Sequence, residues 1–401
     1  MATASTDMAP ASGREATRRL LPFTVLVALG YLTVGLPLAV VPIYVHSTLG
    51  FGPVAVGWVI AMQSIGTLLT RHFAGVVSDT RGSKLAVISG AATCSFAAVL
   101  YSLSTPSLFG RTGGLGILLL ARLILGLGES LLITGALAWC IGAVGSRYTG
   151  RAMVWVGIAM FGSIGAGAPA GVGLLRAGGF TFLALVAALL PILACLIAAR
   201  KPGIPPHHGR RMGFLKVVGL IWPFGVSLAL STFGFGTLFA FLGLYYASHN
   251  WSGASWALSG FGLAYTVTRL IFGGLPDQMG GIRVASVTIP LQALGLIILA
   301  AAPVAEVALI GAAILGGGYS LTFPALGVEA VKHVPPQSRG AAMGAYVAFV
   351  DIGLGLTGPI SGAIVSHAGY PAVFVAGALA SGGAFVAMML TSNLFVRPTV
   401  D

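Results

Sequence analysis

Of the nine acidic residues in this 401-residue chain, only Glu129 and Asp351 stand near the middle of long apolar runs. A charge at the centre of a bilayer costs about 2.5–3.5 kcal/mol. Acids in such places normally face a cavity or a partner and do work there. The chemistry open to them is the pick-up and release of a proton. Each also reads, more blandly, as a buried hydrogen-bonding group that locks two helices. Arg122 precedes Glu129 by seven residues, near the same helix face but about 10 Å along the axis. Direct pairing is therefore not expected, and a relay through water or a neighbouring helix is. The other acids have other places: Asp7, Glu15 and Asp401 in the tails, Asp79 and Asp277 in short polar loops, Glu306 and Glu329 at the ends of one run.

The elements that must carry these residues come in two similar sets. TRHFAGVVSDTRG, from Thr70 to Gly82, returns 198 residues later as TRLIFGGLPDQMG, from Thr268 to Gly280. ILGLGES from Ile124 returns 190 residues later as ILGGGYS from Ile314, and Gly165 and Pro169 return as Gly355 and Pro359. By these offsets Glu129 corresponds to Tyr319 and Asp351 to Phe161. One acid thus comes from each half, and neither is duplicated. Repeated residues suit a gate shared by both halves, whereas chemistry belongs where the halves differ.

Apolar residues make up 57% of the chain and charged residues 7%, against about 25% charged in a soluble domain. Such a chain lies in lipid, and its 59 glycines suit close helix packing there. Taking about 20 apolar residues per crossing, twelve spans are expected: 20–45, 53–77, 84–104, 115–143, 152–175, 180–199, 217–247, 254–275, 283–303, 307–330, 341–366 and 371–394. This predicts an all-α membrane protein with a tail at 1–19, a six-helix bundle at 20–199, a polar linker at 200–216, a second bundle at 217–394 and a tail at 395–401. Of the 21 lysines and arginines, sixteen fall on the N-terminal side, including Arg147, Arg210, Arg211 and Arg397, and two, Arg111 and Arg176, on the other. That bias places both termini and the linker in the cytoplasm. Arg71, Arg122 and Arg269 remain inside spans.

Two six-helix halves imply a transporter with its site between them. The loop GVVSDTRGSK, Gly75 to Lys84, resembles the signature loop of the major facilitator superfamily, with GGLPDQMGGIR, Gly273 to Arg283, as its echo. RLILGLG matches the family's Arg-x-x-x-Gly-x-Gly pattern at Arg122, Gly126 and Gly128. The fifth span has GAGAPAG, with Ala168-Pro169 where the antiporters of the family usually show Gly-Pro. The run LGESLLITGALAW is similar to the YhhS/YfcJ-type branch, grouped with arabinose-efflux and drug-efflux permeases. The resemblance implies that Asp79, with Arg81, Gly82 and Lys84, latches against the start of span 11, and Asp277 against the start of span 5, where helix N-termini favour an anion. Arg71 and Arg269 would anchor these latches or snorkel to the inner surface; the plainer alternative is that they are ordinary positive-inside anchors. It also implies that spans 1, 2, 4, 5, 7, 8, 10 and 11 line the cavity. Spans 3, 6, 9 and 12 carry no charge, in agreement.

The other lining residues are soft: Tyr31, Gln63, Trp139, Trp155, Phe233, Phe235, Tyr319, Tyr346 and Phe349. Each is a candidate for substrate contact, although core packing is the commoner role of such a residue. Aromatics with few fixed charges suit a small amphipathic organic solute. Cys94, Cys140 and Cys195 lie in apolar runs without metal or disulfide spacing. No His or Cys cluster suggests a metal, no phosphate loop a nucleotide, and no nucleophile–base set an enzyme, so no cofactor is expected. The net charge of +12 is spread over short loops rather than one face, which disfavours nucleic acid. Asn250 in NWS fits a glycosylation acceptor only by chance. The expectation is a monomeric proton antiporter of a bacterial inner membrane that exports a small organic solute. Proton symport of a sugar or organic acid, and a non-transporting sensor, are the rivals.

Overall fold

The computed structural model describes residues 13–145, 148–204, 214–334 and 339–395. Asp7, Asp401, Arg147, Arg210, Arg211, Arg397, most of the predicted linker and parts of both predicted tails lie outside the described residues. The described residues are helical nearly throughout. In chain order the helices are α1 (Gly13–Leu38), α2 (Val41–Ile43), a π turn (Tyr44–Thr48), α3 (Pro53–Thr80), α4 (Ser83–Leu103), α5 (Pro106–Val144), α6 (Thr149–Ala199), α7 (Phe214–Ser248), α8 (Ala254–Phe272), α9 (Leu275–Met279), α10 (Gly281–Ala300), α11 (Ala305–Lys332) and α12 (Arg339–Phe395).

Among the described residues, nine helices are long and apolar enough to cross a membrane. α6 and α12 are each long enough to cross twice, and each is broken once, at Gly179 (φ 77°) and Gly369 (φ 78°). These glycines stand 190 residues apart, at equivalent places in the repeat, and only glycine enters that backbone region without cost. With α8 added, the architecture is consistent with twelve crossings.

Local sequence explains the helix ends. Proline opens α3 and α5, where its missing N–H costs nothing. Hydroxyls within the apolar runs bond back to carbonyls four residues earlier, as Thr24 does to Leu20, Thr67 to Gln63 and Thr266 to Gly262. Each polar group is thereby satisfied without water. Large leucines such as Leu69, Leu263 and Leu379 point outward, as they do on a surface wetted by lipid.

The helices pack as two groups. In the first, α1 packs on α6, α3 on α5, and α4 on both α5 and α6; in the second, α7 packs on α12, α10 on α11 and α12, and α11 on α8. Glycines fix equivalent close contacts in both. Gly126 lies against the carbonyl of Gln63, and Gly316 against that of Phe261. Gly128 abuts Gly90 and Cys94, and Gly318 abuts Thr288 and Gln292. The partners differ by the same 190 and 198 residues as the sequence repeats, so the repeat is a repeat of contacts. Two seams join the groups, α3 with α12 and α6 with α8. Backbones nearly touch across them, Gly57 at Gly358 in the first and Gly165 at Gly262 in the second.

The start of the linker is pinned to the first group. Lys84 Nζ donates to the carbonyls of Ala199 and Lys201, each at 2.8 Å. This matches a cation to a helix C-terminus. Trp139 Nε1 donates to the carbonyl of Pro202 at 3.2 Å. That end of the molecule is the linker side.

Candidate functional site

The structure brings together three residues that sequence alone leaves apart. Glu129 on α5 accepts a hydrogen bond from the Tyr31 hydroxyl of α1 through one oxygen. Its other oxygen accepts from Gln63 Nε2 of α3 at 2.6 Å. Both contacts place the carboxyl as an acceptor. Gly126, one turn earlier on α5, allows α3 to approach closely enough for Gln63 to reach.

Asp351 lies across the seam and is nearly fully buried. Its Oδ2 accepts from Arg71 Nε at 2.6 Å. The expectation for Arg71 is thereby corrected. It does not snorkel; it joins the first group to the second through an ion pair, because α12 offers a carboxylate within its reach. Tyr31 and Glu129 lie within electrostatic reach of this pair.

Arg269, the repeat counterpart of Arg71, meets something else. It is only 3% exposed, so snorkelling is again corrected. Its Nη1 donates to the Ser320 carbonyl at 2.6 Å, and its guanidinium lies 5.8 Å from the centre of the Tyr265 ring. Phe161, the counterpart of Asp351, stacks on Tyr265 at 3.9 Å. Phe235 and Tyr319 lie 3.9 Å apart beside them, and Phe239 and Phe261 complete the cluster. Tyr319, the counterpart of Glu129, pairs its hydroxyl with Thr232 at 3.0 Å.

Arg122 is buried and makes no contact with Glu129, as its spacing predicts. It donates to the Val59 carbonyl at 3.1 Å and stands 3.5 Å from the Tyr101 hydroxyl. Its partners are Val59 and Tyr101, not Glu129. Four of the soft candidates are packed within the groups. Trp139 is buried against Phe23 and holds the linker, which is the packing alternative weighed for it. Tyr346 spends its hydroxyl on the Phe323 carbonyl at 2.7 Å. Phe349 fills the space over Gly225, and Trp155 packs on the first apolar cluster. Phe233 lies half-buried on α7, its carbonyl facing Thr357.

At the loops, Gly82 (φ 95°) and Gly280 (φ 85°) turn the chain into α4 and α10. This accounts for the final glycine of the repeated motif. Asp79 is half-buried and Arg81 exposed. Asp277 is exposed and holds no hydrogen bond or ion pair among the described residues. A different acid ties the second loop: Glu329 Oε1 accepts from the Gly281 amide at 2.7 Å and from Lys332 at 2.8 Å.

Sequence reasoning missed Phe161, Tyr265 and Ser320. It also missed the buried amide Gln292, which bonds Ser231 and Ser381 inside the second group. A glutamine alone in an apolar run was the available signal. A groove of about 440 Å³ beside Trp58, Leu115 and Ser366 contains none of the site residues.

The comparisons agree with this architecture. The family model described as Major Facilitator Superfamily matches residues 23–255 and 224–400. An uncharacterized MFS-type transporter of Burkholderia mallei (strain SAVP1) is 41% identical over 374 residues, 93% of this chain and 91% of its own length. The uncharacterized MFS-type transporter YhhS of Escherichia coli O6:H1 is 39% identical over 371 residues, 92% of this chain and 91% of its own. Among solved structures, the human organic anion transporter MFSD10 has a TM-score of 0.74 at 15% identity, covering 93% of this chain and 99% of that one. The Escherichia coli fucose:proton symporter FucP has a TM-score of 0.65 at 14% identity, covering 93% and 98%. Matched along nearly its whole length, with two equivalent groups of membrane helices and the signature loop at the turn from α3 to α4, the chain belongs to the major facilitator superfamily.

Proposed function

We propose that this multi-pass membrane transporter exports a small organic solute in exchange for protons, by alternating access. The observation that carries the reading is the pair of carboxyls, one from each half: Glu129 held by Tyr31 and Gln63, and Asp351 held by Arg71 across the α3–α12 seam.

A proton that reaches Asp351 neutralises the acid and dissolves the ion pair. The seam loses its strongest contact, and the halves are free to rock. Glu129 sits in the first half with two donors that a solute can displace. Solute and proton then compete for that carboxylate, so binding one expels the other. Arg122 keeps a fixed positive charge on the same helix as Glu129. The loop residues Asp79, Arg81, Gly82, Lys84 and Asp277 serve the linker-side gate. Phe235 and Tyr319 line the apolar wall facing the solute. The bacterial relatives support an inner-membrane location, and the distribution of basic residues supports cytoplasmic termini. The protein works as a monomer, because site and gate lie within one chain.

The test uses the purified protein in liposomes with an imposed pH gradient. Solute movement should follow the gradient, and solute affinity should rise with pH, because protons vacate the shared carboxylate. Proton uptake rather than release on solute binding at neutral pH overturns antiport in favour of symport. Labelling of a cysteine at position 207 from outside intact cells overturns the orientation.

A further inference from the structure

Arg111 lies at the end of the molecule away from the linker, where the sequence puts very few basic residues. It is exposed and holds no hydrogen bond or ion pair among the described residues. Its guanidinium lies over Gly50, in the turn that leads to α3; a Cβ at Gly50 would stand 3.3 Å from Nη1. The described acids of the first group are elsewhere, Glu15 and Asp79 on the linker side and Glu129 in mid-helix. Leu108 and Phe109 flank Arg111 on the short first piece of α5, before its break at Gly110, and both are exposed. Bare apolar side chains beside a cation suit the boundary between lipid tails and headgroups.

Arg111 also marks the rim of a groove. One turn further along α5, Leu115 and then Leu119 line the groove of about 440 Å³. Residues four apart share a helix face, so the cation and the two leucines form one stripe. α3 supplies a second wall through Pro53, Val54 and Trp58, and α12 a third through Ser366. Val54 and Trp58 are exposed, so the groove opens outward. The Ser366 hydroxyl donates to the Gly362 carbonyl at 2.9 Å, which leaves the lining apolar. Gly362 in turn lies against Pro53 and Val54. The groove therefore sits on the first seam and takes walls from both groups.

Its volume is in the range of ligand sites, about 300–1,000 Å³, but its one charge is at the rim. A polar solute from water gains nothing inside it. A phospholipid matches both parts, chain to groove and phosphate to cation. A zwitterionic headgroup carries its own ammonium beside the phosphate and gains less from Arg111 than an anionic one. We infer that this groove holds an acyl chain of an anionic phospholipid whose phosphate meets Arg111, and that the lipid bridges the two halves at this end of the first seam. The inference is independent of the solute and of proton exchange.

The experiment places the full-length protein in vesicles of phosphatidylcholine with a minor share of phosphatidylglycerol. Either lipid is supplied with brominated chains, with the brominated share kept equal. Bromine quenches a tryptophan that it touches, and the same measurement on Trp58→Phe isolates the signal of Trp58. Occupancy beside Trp58 should favour phosphatidylglycerol by about fivefold, the preference that one basic side chain near a membrane surface confers. Arg111→Gln should bring the ratio to one. Ser366→Phe keeps every charge and fills the groove, so it should do the same. Both positions are exposed, and neither substitution enters the core. Glycerol phosphate in the aqueous phase should leave the ratio of the parent unchanged. A ratio of one in the parent shows an ordinary lipid annulus and overturns the site. A ratio that survives either substitution overturns it as well. If glycerol phosphate abolishes the ratio, Arg111 takes a soluble anion and the lipid assignment falls.

Discussion

The two seams between the halves are built on the same plan and filled differently. Each offers an arginine from the helix before the signature loop, Arg71 on α3 and Arg269 on α8. The first meets Asp351; the second meets Tyr265, on which Phe161 stacks. Around them the first half adds Glu129 and Gln63 where the second has Tyr319 and Phe261. A duplicated frame thus carries a polar wall with two carboxyls and an aromatic wall with none. Aromatic pairs contribute only about 0.5–1.5 kcal/mol beyond their burial, and no proton switches them. In the exchange proposed above, proton sensitivity belongs to the first seam and the second holds the halves together by packing.

The sharpest way to break this contrast is Asp351→Asn. The shape stays and the titration goes. Gradient-driven transport should fall to background in liposomes, while solute binding or exchange persists. Transport equal to the parent would make Asp351 structural and leave Glu129 alone as the proton carrier.

Stability gives the next largest effect. Arg71→Leu strands a buried carboxylate and should cost about 3–5 kcal/mol, seen as a lowered unfolding temperature in detergent. The double variant Arg71→Leu/Asp351→Leu should recover most of that loss. Arg269→Leu leaves no acid behind and should cost less than Arg71→Leu. Equal losses at the two arginines would erase the distinction between the seams.

Where the halves are alike, substitutions should act alike. Gly126→Ala and Gly316→Ala each push a methyl into a neighbouring backbone. Each should cost about 1–3 kcal/mol, with the two unfolding shifts equal within error. Strongly unequal shifts would show that the repeat of contacts is not a repeat of energies. The smallest effect belongs to the loops. Asp79→Asn should raise the population open on the linker side, read from spin-label distances between the linker-side ends of α3 and α12. Asp277→Asn, at an exposed carboxylate, should change those distances less.

Much of the frame was legible because it rests on composition and spacing. Runs of apolar residues marked the helices, and the offsets of 198 and 190 marked the two halves. Glu129 and Asp351 stood out because an acid in an apolar run is expensive. Seven residues of helix correctly kept Arg122 from Glu129. What stayed hidden was pairing between distant segments. Arg71 and Asp351 are 280 residues apart, and no local pattern links a residue in one half to one in the other. Arg71 was therefore assigned to the loop beside it. For Trp139 packing and solute contact were both open for the same reason, since its partner Pro202 is a backbone carbonyl and carries no side-chain signature. Tyr31 and Gln63 were named for their type, but nothing in their spacing said they would share one carboxylate.

The separation of Arg71 from Asp351 also bears on how the chain is made. Ribosomes add roughly 5–20 residues per second, so α3 emerges some ~15–60 s before the acid that neutralises its arginine. During that wait the newborn first half holds a cation in the bilayer without its counterion, at a cost of about 2.5–3.5 kcal/mol near the centre. The first six spans are therefore expected to stay with the insertion machinery, or with a lipid headgroup, until α12 arrives. That bond can form only late in synthesis, once α12 has been made.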